Sequence, residues 1–170
     1  VNPSIDRFAE TARRFCAWAE GDPQAAAIEA DIALRLLSEL NERALQLPEG
    51  AVAGDPQAPS HEAWKVVFRR FGSLPFNYYV QQTDPFVFED AGHEVGDLAD
   101  DLADIWADLK GGLSLFDAGL KDAAASHWWQ YFWIHWGMHA TSGLYPLRYW
   151  IAENRDDLYR PRFDVAADSQ

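Results

Sequence analysis

Between residues 93 and 110 an apolar stripe and an acidic stripe run side by side. Val95, Leu98, Leu102, Ile105 and Leu109 recur three and four residues apart, which predicts an amphipathic helix buried along that seam. About 100° around the helical wheel lie Glu94, Asp97, Asp101, Asp104 and Asp108, with Asp100 beside them. Like charges at these spacings cost roughly 0.2–0.5 kcal/mol per pair. Six such pairs occur (94/97, 97/100, 97/101, 100/104, 101/104 and 104/108). Together they cost about 1–3 kcal/mol, a sizeable share of a domain's net stability. Such a helix is either wet along its acidic face, the commonest fate of a charge run, or set against something positive. Arg13, Arg14, Arg35, Arg43, Arg69, Arg70 and Arg148 are available to neutralise it from within. The stripe's place on the flank of the seam favours partial cover.

The rest of the chain reads as helices of similar kind. A first helix spans residues 4–20, capped by Ser4 and buried along Ile5, Phe8, Ala12, Phe15 and Ala19. Asp22-Pro23 opens a second helix to about residue 47, buried along Ile28, Ile32, Leu36, Leu40 and Leu47. Residues 48–60 hold three prolines and two glycines and read as a loop. Ser60 then caps a short third helix to Phe71, with Trp64, Val67, Phe68 and Phe71 inward. Residues 72–92 are irregular but rich in rings (Phe76, Tyr78, Tyr79, Phe86 and Phe88), so they pack as a wall rather than act as a linker. The acidic helix ends at Gly111-Gly112, and a last long helix runs from Lys121 to about Tyr145, where Pro146 kinks it. The expectation is an all-α bundle of five or six helices, one domain over residues 1–154 with a tail over 155–170.

Charge and composition narrow the function. With 27 acidic against 14 basic residues the net charge is −13, which argues against nucleic acid and anionic membranes as partners. A basic protein, a small cationic ligand or a metal suits the sign. No apolar run reaches the ~20 residues of a membrane span. Cys16 is the only cysteine, so the chain reads as a soluble cytoplasmic protein without disulfides. Nothing in the sequence fixes an oligomeric state.

The last helix is aromatic nearly all round. Trp128, Phe132, His135 and His139 share one face, and the two histidines stand at i, i+4, a spacing from which both imidazoles can reach one ion. Paired histidines on such a face are more often core residues bonded to a carboxylate or carbonyl. The run from Asp100 to Leu113, followed by Asp122-Ala123 and by His135-Trp-Gly-Met-His-Ala140, resembles a bacterial domain-of-unknown-function family, number 5063 in that series. The likeness covers about residues 84–145; where the family pattern has Tyr, this chain has Trp106. It implies an all-α protein with no established activity, and so no mechanism.

Three functional readings follow. The sequence favours a binding or adaptor domain whose acidic groove (Asp97, Asp101, Asp104 and Asp108, with Trp128) takes a basic protein or small ligand. The alternative is a metal-dependent hydrolase in which Asp101, Asp104, His135 and His139 hold a divalent ion, Zn or Mg. A nucleotide pyrophosphohydrolase would cast Glu39/Glu42 and Asp101/Asp104 as Mg²⁺ ligands. Acidic pairs three apart number five against about four expected by chance, which gives that reading no support. A di-iron centre finds only the near miss Asp90-Ala-Gly-His93. No nucleophile elbow or phosphate loop is present, and Cys16 reads as an inert core thiol.

Overall fold

The computed structural model describes residues 2–51, 54–82, 84, 86 and 93–156. It contains α1 (Pro3–Glu20), α2 (Ala26–Ala44), α3 (His61–Arg70), a 3-10 turn (Phe71–Ser73), β1 (Tyr78–Gln82), β2 (His93–Asp97), α4 (Leu98–Asp117), α5 (Lys121–Ile134) and α6 (Trp136–Glu153). The protein is a helical bundle with one small antiparallel hairpin. α4 packs against α1, α3, α5 and α6. Its seam of Leu98, Leu102, Ile105 and Leu109 is fully buried, so the stripe read from the sequence is the bundle's axis. No described helix is long and apolar enough to cross a membrane.

The acidic helix begins later and ends later than its periodicity predicts. Residues 93–97 are strand, paired with β1 in the register Tyr79↔Gly96, and Val95 is 70% exposed rather than part of the seam. Asp97 is the N-cap, its Oδ1 accepting from the Ala99 and Asp100 amides at 3.0 and 3.4 Å, as a helix start prefers. Leu98 N–H reaches Asn77 O at 2.7 Å and ties the hairpin to this end of α4. Gly111-Gly112 does not stop the helix. A Cβ on Gly112 would lie 2.0 Å from the Trp128 indole nitrogen, so this glycine lets α5 approach.

Elsewhere the departures are local. α1 is capped by Asn2 rather than Ser4. α2 starts at Ala26, not at Pro23, and buries Ala30, Ala33, Leu36, Leu37 and Leu40, leaving Ile28 49% exposed. Ser60 caps α3 as predicted, accepting from Ala63 N–H at 3.2 Å. Of the aromatic segment, Tyr79 is buried and Phe76 packs on the core, whereas Tyr78 and Phe86 are exposed. Phe88 and residues 157–170 lie outside the described residues.

The expected last helix is two helices. It breaks at His135, whose backbone leaves the helical region, and Pro146 sits inside α6. The break folds the chain tightly back: a Cβ on Gly137 would lie 2.1 Å from the Phe132 carbonyl oxygen, so α6 can start there only with glycine in its first turn. Trp136 then seats its indole N–H on the Trp128 carbonyl at 3.1 Å.

Candidate metal centre

α4 presents Asp101, Asp104 and Asp108 toward the α5–α6 junction, and the junction answers with its two histidines. Asp108 Oδ2 accepts from His135 Nδ1 at 2.7 Å. Asp101 Oδ1 accepts from His139 Nδ1, also at 2.7 Å. With both Nδ1 atoms donating to carboxylates, neutral rings carry their lone pairs on Nε2. Both Nε2 atoms turn toward Asp104 Oδ2, at 3.9 Å from His135 and 3.7 Å from His139. Those separations are too long for hydrogen bonds. Among the described residues neither Nε2 makes one. The other oxygen of Asp104, Oδ1, is taken by the Trp64 indole N–H at 2.7 Å.

One ligand atom from each of Asp104, His135 and His139 lies within 4.8 Å of the others. A tetrahedral ion about 2.0–2.2 Å from imidazole nitrogen and carboxylate oxygen sets its ligands roughly 3.3–3.6 Å apart. Asp104 Oδ2, at 3.9 and 3.7 Å from the two nitrogens, is near that spacing, and the whole trio, within 4.8 Å, closes on an ion with side-chain shifts of up to about an ångström. The rings meet edge-on, centroids 4.9 Å apart at 82°, because the break at His135 brings them in from different directions.

Of the residues singled out from sequence, Asp104, His135 and His139 converge. Asp101 stands behind His139 rather than among the converging atoms, and Asp108 stands behind His135 in the same way. Asp97 is spent on capping. Trp128 is fully buried, its indole N–H on the Leu109 carbonyl at 3.2 Å, so it is core and not a docking residue. The acidic face is covered rather than open: the Asp101 and Asp108 side chains are only 9% and 14% exposed. Histidines, not arginines, meet it. Arg13 pairs with Asp117, Arg14 and Arg43 with Glu39, Arg35 with Asp31, and Arg70 with Glu29. Glu39, bonded also by Thr11, is thereby unavailable for Mg²⁺.

The sequence reading missed three contributors. Trp64 and Tyr79 reach the aspartates from α3 and β1, and His127 is buried with Nε2 near the Asp108 carbonyl at 3.2 Å. Their polar tips inside apolar runs were the only hint. The hydrogen bond that His139 donates to Asp101 raises the His139 pKa, opposed by burial and helped by the charges of Asp101, Asp104 and Asp100. Burial lowers that of His127 and raises that of Asp108 against the pull of His135. Burial also pushes the Cys16 thiol up to about 12, which removes it as a nucleophile near neutral pH.

Beside the centre a cleft of about 290 Å³ opens between the hairpin, α4 and α6, with Gln81, Glu94, Asp100, His139 and Ser142 in its walls. Its hairpin wall is largely polar, not the ring-lined face expected from the aromatic segment.

Comparison with known proteins bears on the fold. The crystal structure of protein BF1032 from Bacteroides fragilis superposes with a TM-score of 0.71 over 94% of this chain and 98% of that one, at 20% identity. At that identity the likeness speaks for a shared fold alone. No curated protein matches the chain. The model of a domain of unknown function, DUF5063, matches residues 1–153. That span takes in both the acidic helix and the His135–Ala140 motif, and the chain belongs to the DUF5063 family.

Proposed function

We propose that the protein is a metal-dependent enzyme of hydrolytic type, with His135 Nε2, His139 Nε2 and the Asp104 carboxylate as ligands of one divalent ion. The observation that carries this reading is the orientation of the two imidazoles. Each gives Nδ1–H to its own carboxylate and aims Nε2 at the same oxygen of Asp104. Metal-bound histidines are held by this carboxylate–imidazole arrangement, which fixes tautomer and ring plane and strengthens the ligand. Charge attraction alone would draw protonated rings onto Asp104, but it would close the 3.7 and 3.9 Å gaps to hydrogen-bond length, which the structure leaves open. Trp64 occupies Asp104 Oδ1 and leaves Oδ2 for the ion.

Two imidazoles favour Zn²⁺ or a neighbouring first-row ion over Mg²⁺, which prefers oxygen. Three protein ligands leave a coordination position for water, whose pKa such an ion lowers toward neutrality. His135, 42% exposed at its side chain, gives solvent and substrate a way in. Docking of a basic protein on this face is less well supported, since Asp101 is buried, Asp108 is largely covered, and both are already bonded.

Protein purified without a histidine tag should carry a stoichiometric divalent ion. His139→Ala and Asp104→Ala should lose it while keeping the helical circular dichroism of the parent. Hydrolysis of activated phosphate or carboxyl esters should scale with ion content across metal-stripped and reloaded samples. A wild-type protein that neither retains nor takes up Zn²⁺ or Co²⁺ would sink the reading.

A further inference from the structure

An isolated two-stranded hairpin is marginal in water unless something docks it. β1 and β2 dock through Tyr79, while Tyr78, Val80 and Val95 on the other face stay exposed. The Tyr79 ring lies across β2 at its register partner Gly96. A Cβ at Gly96 would come within 2.4 Å of that ring, so a larger residue would lift it away. From this seat the phenol donates to Asp101 Oδ2 at 2.6 Å, in a buried hydrogen bond. The other oxygen of the same carboxylate takes Nδ1–H of His139 at 2.7 Å. With each oxygen committed, the carboxylate cannot turn without breaking one of two charge-assisted bonds. Asp108, which holds His135, has no second side-chain donor among the described residues. The two histidines are thus held unequally.

Resting on the metal reading above, we infer that Tyr79 is a positioning residue of the centre, acting through Asp101 to fix the His139 ring, and that Gly96 is the position that allows it. The hairpin is then part of the site's construction: it supplies no ligand but sets the aim of one.

The test uses the whole chain and two ions, Zn²⁺ by calorimetry and Co²⁺ by visible absorption. Tyr79→Phe keeps a ring in the Gly96 recess and removes only the hydroxyl. It should weaken Zn²⁺ binding about tenfold, the lower end of the loss seen when a ligand's outer partner is removed. It should also alter the Co²⁺ ligand-field bands and shift the ¹⁵N resonances of the His139 imidazole in metal-free protein. Gly96→Ala should reproduce these changes although it deletes no polar group, and Tyr78→Phe, on the exposed face, should reproduce none. Unchanged or tighter binding by Tyr79→Phe, with the parent's Co²⁺ spectrum and ¹⁵N shifts, overturns this inference and leaves the metal centre standing. A parent protein that binds neither ion removes both.

Discussion

Glu29 on α2 and Asp104 on α4 are both carboxylates set among nitrogen-bearing side chains, yet they are finished differently. Glu29 is fully buried, and both its oxygens are filled. Arg70 donates from Nη1 at 2.6 Å and Nη2 at 3.1 Å, Trp18 from its indole at 3.0 Å, and the Gln24 backbone amide at 2.7 Å. Arg70 also bonds the Gly21 carbonyl and lies 5.0 Å from the Trp18 and Phe71 ring centres. Charge and geometry both close there, as a buried ion pair requires if it is to persist. At Asp104 one oxygen is filled and the other faces two ring nitrogens that stop short of bonding it. Three carboxylates stand against two imidazoles. The first region is closed on itself, whereas the second leaves one carboxylate oxygen and two ring nitrogens unbonded to each other, the feature on which the proposed metal reading rests.

The largest effect should come from opening the closed region. Glu29→Ala leaves the Arg70 guanidinium buried without its partner, which should cost about 3–5 kcal/mol. Urea unfolding would measure it, and the loss should be the same with and without chelator. A chelator-dependent loss would merge the two regions and break the comparison.

Next in size is Asp108→Asn, which keeps the shape but removes the charge behind His135. Zn²⁺ affinity should fall about 10–100-fold, or about 1.4–2.8 kcal/mol, by calorimetry. Metal-free stability should change far less than in Glu29→Ala. Equal affinity would show that Asp108 is a structural partner only.

The smallest effect is a pH dependence of metal-free stability. His139 has a raised folded-state pKa, so its pairing with Asp101 contributes fully below the ordinary histidine value while Asp101 is ionised. That contribution fades as pH rises through the raised value. His127 has a lowered pKa and acts with the opposite sign: its contribution is present above the ordinary value and is lost as pH falls through the lowered one. Urea melts from about pH 5 to 9, across the histidine range, should therefore lose their low-pH gain in His139→Ala. With Zn²⁺ present the trend reverses, because acid protonates the ligands and releases the ion. A His139→Ala profile that matches the parent would show the pair to be energetically silent.

Much of the open region was legible from residue spacing. Asp101, Asp104 and Asp108 fall on one helix face at 3- and 4-residue intervals, and so their convergence needed only the right neighbour. The histidine pair was legible too, though for an incomplete reason. Its i, i+4 spacing assumes one continuous helix, and the break at His135 depends on how closely Gly137 can approach the Phe132 carbonyl. Periodicity carries no information about that approach. The division of labour between Asp101 and Asp104 was not legible either, because it is decided by Tyr79 and Trp64, brought from other elements. The hairpin escaped for a similar reason. Residues 93–95 fit the helical stripe as well as they fit a strand, and pairing with β1 outweighed that local preference. Gly111-Gly112 misled in the other direction: glycine both ends helices and lets them touch, and only the Trp128 indole tells which applies.

The break at His135 also has a mechanical consequence. α6 is an 18-residue helix that starts right after the break at His135, which carries one candidate ligand, and the other sits about one turn beyond that point. A tilt of about 5° about that point would move the far end of α6 by roughly 2.4 Å but His139 by only about 0.5 Å, at 1.5 Å of rise per residue. The two imidazoles sit at the fulcrum of a lever. Whatever loads the distal turns of α6, around Tyr145 and Tyr149, is attenuated before it reaches the nitrogens.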